Sequence, residues 1–561
     1  MAPVWKIWID TGGTFTDCIA INPEGQFNRL KILSNSVLRG KIVKQVDRHT
    51  LSVDILWPSQ KEIFDGYSFR IVGGSKSFII AHADVKNKLI FLEEPLSKSL
   101  AKKAFELSSL EEVPVLAARL LTETPLHAPF PKIEMKLGST RGTNAILERK
   151  GARTAFLVTK GFKDLLLIGN QQRPDLFALN IQKPKPLYES VIEIDERIES
   201  DGSILKSISA KQVKSIIKLL KKQKIESVAV ALLNSYKNPV HESFLAQYLK
   251  DSGLQFASIS HQLSQQVRIL PRAETTVANA YLAPIIHNYL NKIQSGLAGA
   301  GLKIMTSAGG LVSANNFFPK DSLLSGPAGG VVGAATQAKR SGVDKLITFD
   351  MGGTSTDVSL YNGHYDYRYE SKVGDQKILS PSLAIETIAA GGGSICDFDG
   401  YRFTVGPHSA GATPGPACYG AGGPLTITDV NLLLGKIDVT NFAIPLNLLL
   451  AGQALEILLR KVKKVTGKKY SAESVLQSLT QIANEKMADA IKKVSVQHGH
   501  DPADYTLLCF GGAGGQHACQ LGEILGMKKV LIPYDAGLLS AYGIGHADVE
   551  RFEELLVLKS L

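Results

Sequence analysis

Short apolar runs recur along the chain, each bounded by Gly-rich or polar turns, and helix-like segments lie between them. Residues 6–10, 155–158, 227–233, 345–350, 506–510 and 529–532 read as buried strands. Ser209, with Gln212 three positions on, predicts a helix start, and the lysine-rich segment 214–224 that follows has an apolar stripe on one side. Strands alternating with helices predict an α/β architecture. One stretch departs from this rhythm. Residues 39–126 show β-type alternation at 67–72, 77–81 and 88–92, a helix expected near 97–108, and no Gly-rich chemistry. They read as an inserted β-rich subdomain, a surface or assembly module.

Composition adds limits. The chain has 561 residues, 44% of them apolar and 20% charged, enough for three or four globular units. No apolar run reaches the ~18 residues a membrane helix needs, and the N-terminus lacks the basic-then-apolar pattern of a signal peptide. A soluble, cytoplasmic protein is expected. Five cysteines without a CxxC pair fit a reducing compartment and argue against a disulfide scaffold or structural zinc. The net charge of +11 raises nucleic acid as a partner, but the densest basic run is the solvated face of the helix at 214–224. No nucleic-acid and no membrane partner is expected, and the charge suits attraction of anionic substrates.

The chemistry begins with an internal repeat. Asp10-Thr-Gly-Gly-Thr-Phe-Thr-Asp17 and Asp350-Met-Gly-Gly-Thr-Ser-Thr-Asp357 share the pattern D-x-G-G-T-x-T-D, each after an expected strand. A duplicated α/β half explains this. Gly12, Gly13, Gly352 and Gly353 let backbone N–H groups approach a phosphate, and the hydroxyls of Thr14, Thr16, Thr354 and Thr356 are candidate donors. Asp10 and Asp350, at strand ends, are candidate Mg²⁺ ligands, partly through water. Asp17 and Asp357 are candidates to assist the metal or position a nucleophile. One Asp-x-Gly-Gly turn alone would fit a plain hairpin as well as a phosphate loop; two matched copies point to phosphate. A third loop, Gly511-Gly512-Ala513-Gly514, follows the strand at 506–510 and leaves room for an adenosine. The three loops together resemble the actin/Hsp70/sugar-kinase ATPase superfamily, in which ATP lies in the cleft between two related halves.

Longer motifs narrow the resemblance. They are Gly-Ser-Thr-Arg-Gly-Thr-Asn-Ala (138–145), Arg-Pro-Asp-Leu-Phe (173–177), Ser-Gly-Pro-Ala-Gly-Gly (325–330), Ala-Gly-Gly-Gly-Ser-Ile (390–395), the Gly-Pro-His-Ser-Ala-Gly run that opens 406–420, Phe-Gly-Gly-Ala-Gly-Gly-Gln-His (510–517) and Ser-Ala-Tyr-Gly (540–543). In this order they resemble the hydantoinase A/5-oxoprolinase family. The resemblance implies two actin-like (ribonuclease H-like) halves. It divides the chain into 1–200, carrying the 39–126 insertion, 201–547, carrying the adenosine loop, and 548–561, the start of a C-terminal region that is cut short. It implies ATP, Mg²⁺ and a monovalent cation such as K⁺. The implied reaction is ATP-dependent opening of a cyclic amide, 5-oxoproline or a hydantoin, by phosphorylation of the amide oxygen. The implied partners are a B-type half, fused or separate, and other copies in an oligomer. Two alternatives remain open: an acetone carboxylase-like subunit that activates bicarbonate or a ketone, and a non-catalytic actin-like nucleotide binder. Substrate candidates are Arg141 and Asn144 in the 138–145 loop, Arg173 for a carboxylate, Glu386 for polarising water and His408 as a proton carrier, each with a structural role as the competing explanation. His517 reads as a cap or packing residue and Cys418 as a buried, inert thiol.

Overall fold

The computed structural model describes residues 3–96, 102–170, 177–440, 442, 445–554 and 556–557. The chain is α/β, and its contacts divide it into two compact units. One comprises Met1–Gly326, Arg368–Ser382 and Asp548–Leu561; the other comprises Pro327–Tyr367 and Leu383–Ala547.

In the first unit β1 (Trp5–Thr11) turns into β2 (Phe15–Ile21) and on to β3 (Phe27–Leu33). β1 also pairs in parallel with β4 (Ile133–Ser139), which pairs in parallel with β5 (Gly301–Met305). The order β5-β4-β1-β2-β3 therefore forms the body of this sheet. In the second unit β6 (Lys345–Met351) turns into β7 (Thr356–Asn362), which pairs with β8 (Ile385–Ile388). On its other side β6 pairs in parallel with β9 (Thr506–Phe510), which carries β10 (Lys529–Leu531). The order β10-β9-β6-β7-β8 repeats the first sheet strand for strand. The repeat seen in eight residues is thus a repeat of topology, and each copy sits at the turn of its sheet's hairpin.

A second sheet in the first unit joins Ser190–Ile194, Thr154–Thr159, Ser227–Ala231 and Phe256–Ile259, all parallel. Strands before and after residue 200 share this sheet, and β5 completes the one begun by β1. By contacts, the first long segment of this unit runs to Gly326. The two central strands, Thr154–Thr159 and Ser227–Ala231, are buried along their whole length and mostly apolar, as the inner strands of parallel sheets are.

Six antiparallel strands between Leu38 and Ser108 close into a barrel around Ile42, Leu51, Val53, Phe69, Ile80, Ile90 and Phe105. A Cβ on Gly40 would fall 2.5 Å from the Phe105 ring, so closure needs a glycine there. The helix expected near 97–108 lies partly outside the described residues; the described part, Ala104–Ser108, is the strand that closes the barrel. Its Ala, Glu and Leu favour helix locally, but two neighbouring strands pair with it and override that preference. The helix Val113–Thr122 follows and packs on β1 and β3. Ser209 does occupy an N-cap position, before Ala210–Lys222, but its side chain makes no cap bond.

Candidate nucleotide site

The first hairpin is closed by Gly12 N–H donating to Phe15 O at 3.1 Å. A Cβ on Gly12 would lie 2.8 Å from that oxygen. Thr140 donates to Thr11 O through both its N–H (2.9 Å) and its hydroxyl (3.2 Å), which anchors helix α1 (Arg141–Leu147) beside the turn. The Asn144 amide nitrogen lies 3.7 Å from where a Gly13 Cβ would be. Arg141 flanks the same turn, paired with Glu112 at 3.2 Å and lying 4.2 Å from the Tyr289 ring centroid. The candidates Arg141 and Asn144 are therefore brought to the hairpin. Asp10 Oδ1 is closed off from solvent and has no hydrogen-bond partner. A Cβ on Gly326 would sit 3.3 Å from it, so that glycine leaves space beside the carboxyl. Burial, with the neighbouring Asp17 adding and Lys31 opposing, pushes the Asp10 carboxyl up to about 7. Asp17 is cross-strand from Asp10 and accepts from Lys31 Nζ at 2.5 Å; burial raises its carboxyl while Lys31 opposes.

The second hairpin repeats the closure, Gly352 N–H to Ser355 O at 3.0 Å, and the register, with Asp350 opposite Asp357. Here the bracing comes from the 390–393 segment. Gly392 N–H donates to Gly352 O (3.0 Å) and Gly393 N–H to Gly353 O (2.7 Å). A Cβ on Gly391 would lie 2.8 Å from Gly353 backbone, too close to exist. Burial raises the Asp357 carboxyl, and a hydrogen bond from the Thr387 hydroxyl opposes that shift. The third loop is joined to the base of this hairpin: Ala513 N–H donates to Met351 O at 3.0 Å. Gly511 has φ +81°, and a Cβ there would lie 2.3 Å from Asp350 Oδ1. Only a glycine lets this loop meet that aspartate.

The candidate threonines separate by their place in the hairpin, one of each pair in the turn and the other in the return strand. Thr14 and Thr354 are exposed at the turns, whereas Thr16 and Thr356 are buried. The Thr16 hydroxyl is bonded to that of Ser34 at 3.0 Å, and Thr356 donates to Ala390 O at 2.5 Å. These two hydroxyls hold the hairpins together, and the turn threonines are the ones that face outward.

The family described as Hydantoinase/oxoprolinase matches residues 272–553, and its N-terminal region matches 6–54 and 117–253. The chain belongs to the hydantoinase/oxoprolinase family. The unmatched stretch between 54 and 117 holds most of the barrel. A 5-oxoprolinase of Arabidopsis thaliana is 41% identical over 460 residues, 75% of this chain and 36% of its own length. The caprolactamase subunit alpha of Pseudomonas jessenii is 33% identical over 442 residues, 75% of this chain and 62% of its own length. The crystal structure of ATP-dependent caprolactamase from Pseudomonas jessenii superposes with a TM-score of 0.72 at 26% identity, over 97% of this chain and 71% of that one. The chain thus spans well under half the length of the 5-oxoprolinase it matches.

Of the other candidates, Arg173 lies outside the described residues. His408 is exposed on the strand Phe403–Ser409. Glu386, on β8, forms an ion pair with Lys493 at 3.2 Å. Cys418 is buried, and burial raises its thiol, as an inert thiol requires. Among the described residues no three His, Cys, Asp or Glu side chains cluster as a metal site, and no helix is long and apolar enough to cross a membrane. The sequence reading missed helix α2 (Ile427–Leu433), whose capping box of Thr426 and Asp429 was the available signal. Asp429 is fully buried. It accepts from Thr426 N (2.8 Å), Ala417 N (3.1 Å) and Cys418 N (2.7 Å), and so fixes the end of the 406–420 motif.

Proposed function

We propose that this chain is the ATP-using part of an enzyme that opens a cyclic amide, with 5-oxoproline as the leading substrate. The observation that carries this reading is the similarity across three quarters of the chain to two proteins named for lactams of different ring size, a 5-oxoprolinase and a caprolactamase. A part common to both is suited to the step they share, activation of an amide, rather than to ring recognition. The phosphates would be taken by Gly12, Gly13, Thr14, Gly352, Gly353 and Thr354, and the adenosine by the loop 511–514. Mg²⁺, held by Asp10 and Asp350, would neutralise charge on the phosphates; the unpartnered Asp10 oxygen and the side-chain-free ground at Gly326 and Gly511 suit a cation and its waters. A monovalent cation such as K⁺ belongs to the same reading.

An amide resists water because resonance strengthens its C–N bond. Transfer of the γ-phosphoryl group to the lactam oxygen makes the carbon electrophilic. Water then adds to that carbon, the C–N bond breaks as the nitrogen gains a proton, and a second water releases phosphate from the acyl phosphate that remains. One lactam, two waters and one ATP give the amino acid, ADP and phosphate. For phosphoryl transfer the protein positions and stabilises charge, which suits backbone N–H groups at glycine turns. The half that binds and opens the ring would be a B-type partner, in a cytoplasmic oligomer. The test is ADP release by this chain mixed with its B-type half, with 5-oxoproline, a hydantoin or bicarbonate. Stimulation by 5-oxoproline with glutamate appearing in step is expected. Stimulation by bicarbonate alone would move the activity to a carboxylase, and none by any of the three would leave a nucleotide binder.

A further inference from the structure

Helix α2 bonds to the segments adjoining both the second hairpin and the third loop. At its first turn Thr428 donates to Gly392 O through its N–H (2.8 Å) and its hydroxyl (2.9 Å). Gly392 N–H in turn holds Gly352 O of the second hairpin, and a Cβ on Gly392 would lie 2.8 Å from the Thr428 hydroxyl. One turn on, Asn431 donates to Gln516 Oε1 (2.7 Å) and meets His517 Nε2 at 3.0 Å. Gln516 and His517 end the stretch that begins with the third loop. His517 Nδ1 faces Asn484 Oδ1 at 2.7 Å, on the long helix Ala472–Val494. An amide oxygen at Nδ1 and an amide NH₂ at Nε2 select the neutral ring protonated at Nδ1. Burial favours the same state, lowering His517 to about 4.

We infer that α2 is a strut that sets the distance between the second phosphate hairpin and the adenosine loop, with Thr428 and Asn431 as its two positioning residues. This deepens the nucleotide reading and rests on the loop 511–514 taking the adenosine. Thr428 and Asn431 lie three positions apart on one helix face, so both ends of the strut move as one body. Phosphates and nucleoside are joined covalently in ATP, so a loop displaced by even 1 Å gives up one set of contacts to keep the other. A ligand with phosphates alone has no such constraint.

The test is equilibrium binding of Mg·ATP and of Mg·tripolyphosphate to the full chain. Asn431→Ala is expected to weaken ATP about tenfold, the upper range for one buried hydrogen-bonding group, and to leave tripolyphosphate within about twofold. Thr428→Val should weaken ATP similarly, Thr428→Ser should restore it, and the double variant should be no worse than about the poorer single. Melting temperatures recorded alongside separate unfolding from repositioning. If Asn431→Ala does not fold, the two Thr428 variants carry the test. ATP binding at wild-type strength in both single variants overturns the strut, as does an equal loss of ATP and tripolyphosphate in Asn431→Ala. A wild-type chain that binds tripolyphosphate as tightly as ATP overturns instead the adenosine assignment beneath it.

Discussion

The two hairpins share a sequence pattern, a turn closure and a strand register, yet they are supported by different physics. At 10–17 charge is added to the Thr140 bonds: Lys31 pairs with Asp17, and Asp10 carries a buried oxygen with no partner. At 350–357 close packing is added to the backbone bonds: the turn lies against the Gly391–Gly393 backbone, and Gly511 lies against Asp350. Matching sequences therefore specify matching backbones but leave open how each is held. The first hairpin should respond to charge and pH, the second to added volume.

The largest expected contrast is in volume. Gly391→Ala puts a methyl group 2.8 Å from Gly353 backbone, which no rotamer can relieve. Overpacking of this kind costs about 1–3 kcal/mol, and displacement of a phosphate turn by ~1 Å would cost about 100-fold in turnover. Gly13→Ala meets nothing nearer than 3.7 Å, so stability should stay within about 0.5 kcal/mol. Thermal melts of the two variants, with ADP release by Gly391→Ala, check this. Equal destabilisation would erase the distinction between the hairpins.

Charge comes next. A carboxyl raised from the ordinary aspartate range to about 7 holds its proton more tightly folded than unfolded, so Asp10 makes stability fall as pH rises from about 4 to about 7. Asp10→Asn should leave stability at pH 4 nearly unchanged and raise it at pH 8, by at most about 4 kcal/mol for a three-unit shift. The same variant should lose Mg·ATP binding by about 100-fold, and Asp350→Asn should match that loss, because a charge-assisted contact disappears in both. A pH–stability profile of Asp10→Asn parallel to the wild type would show that the buried oxygen is not the source of the slope.

Much of this was legible in the chain because the signals were local. A strand followed by D-x-G-G-T-x-T-D fixes a hairpin wherever it occurs, and both copies formed one. Residue type makes Thr16 and Thr356 phosphate donors, and nothing local shows that they lie at the start of the return strands and face inward while Thr14 and Thr354, two positions earlier, stay in the turns. The barrel was readable as β-rich, but Ala104–Ser108 becomes a strand only through pairing with Leu38–Gln45 and Ser68–Ile71, far off in sequence. Thr428 and Asn431 were invisible for the same reason. Their partners lie 36 and 85 positions away, and nothing within a helical turn of either announces them. Capping patterns show where a helix starts, not what it holds.

The smallest effects separate an ion pair from a hydrogen bond at equivalent places. Lys31 is 47% exposed, so its pair with Asp17 contributes at most about 1 kcal/mol and is screened by salt. Thr387 gives Asp357 a neutral donor, worth about 1 kcal/mol, with little salt dependence. Lys31→Met should therefore destabilise modestly at low ionic strength, and the deficit should fade by about 1 M salt. Thr387→Val should show a similar deficit at both. Denaturant melts of each variant and the wild type at the two salt concentrations measure this directly. If the Lys31→Met deficit persists in high salt, the lysine supports the first hairpin through its contact with the Phe15 ring, whose centroid lies 5.5 Å from Nζ, and the ion-pair half of the contrast fails.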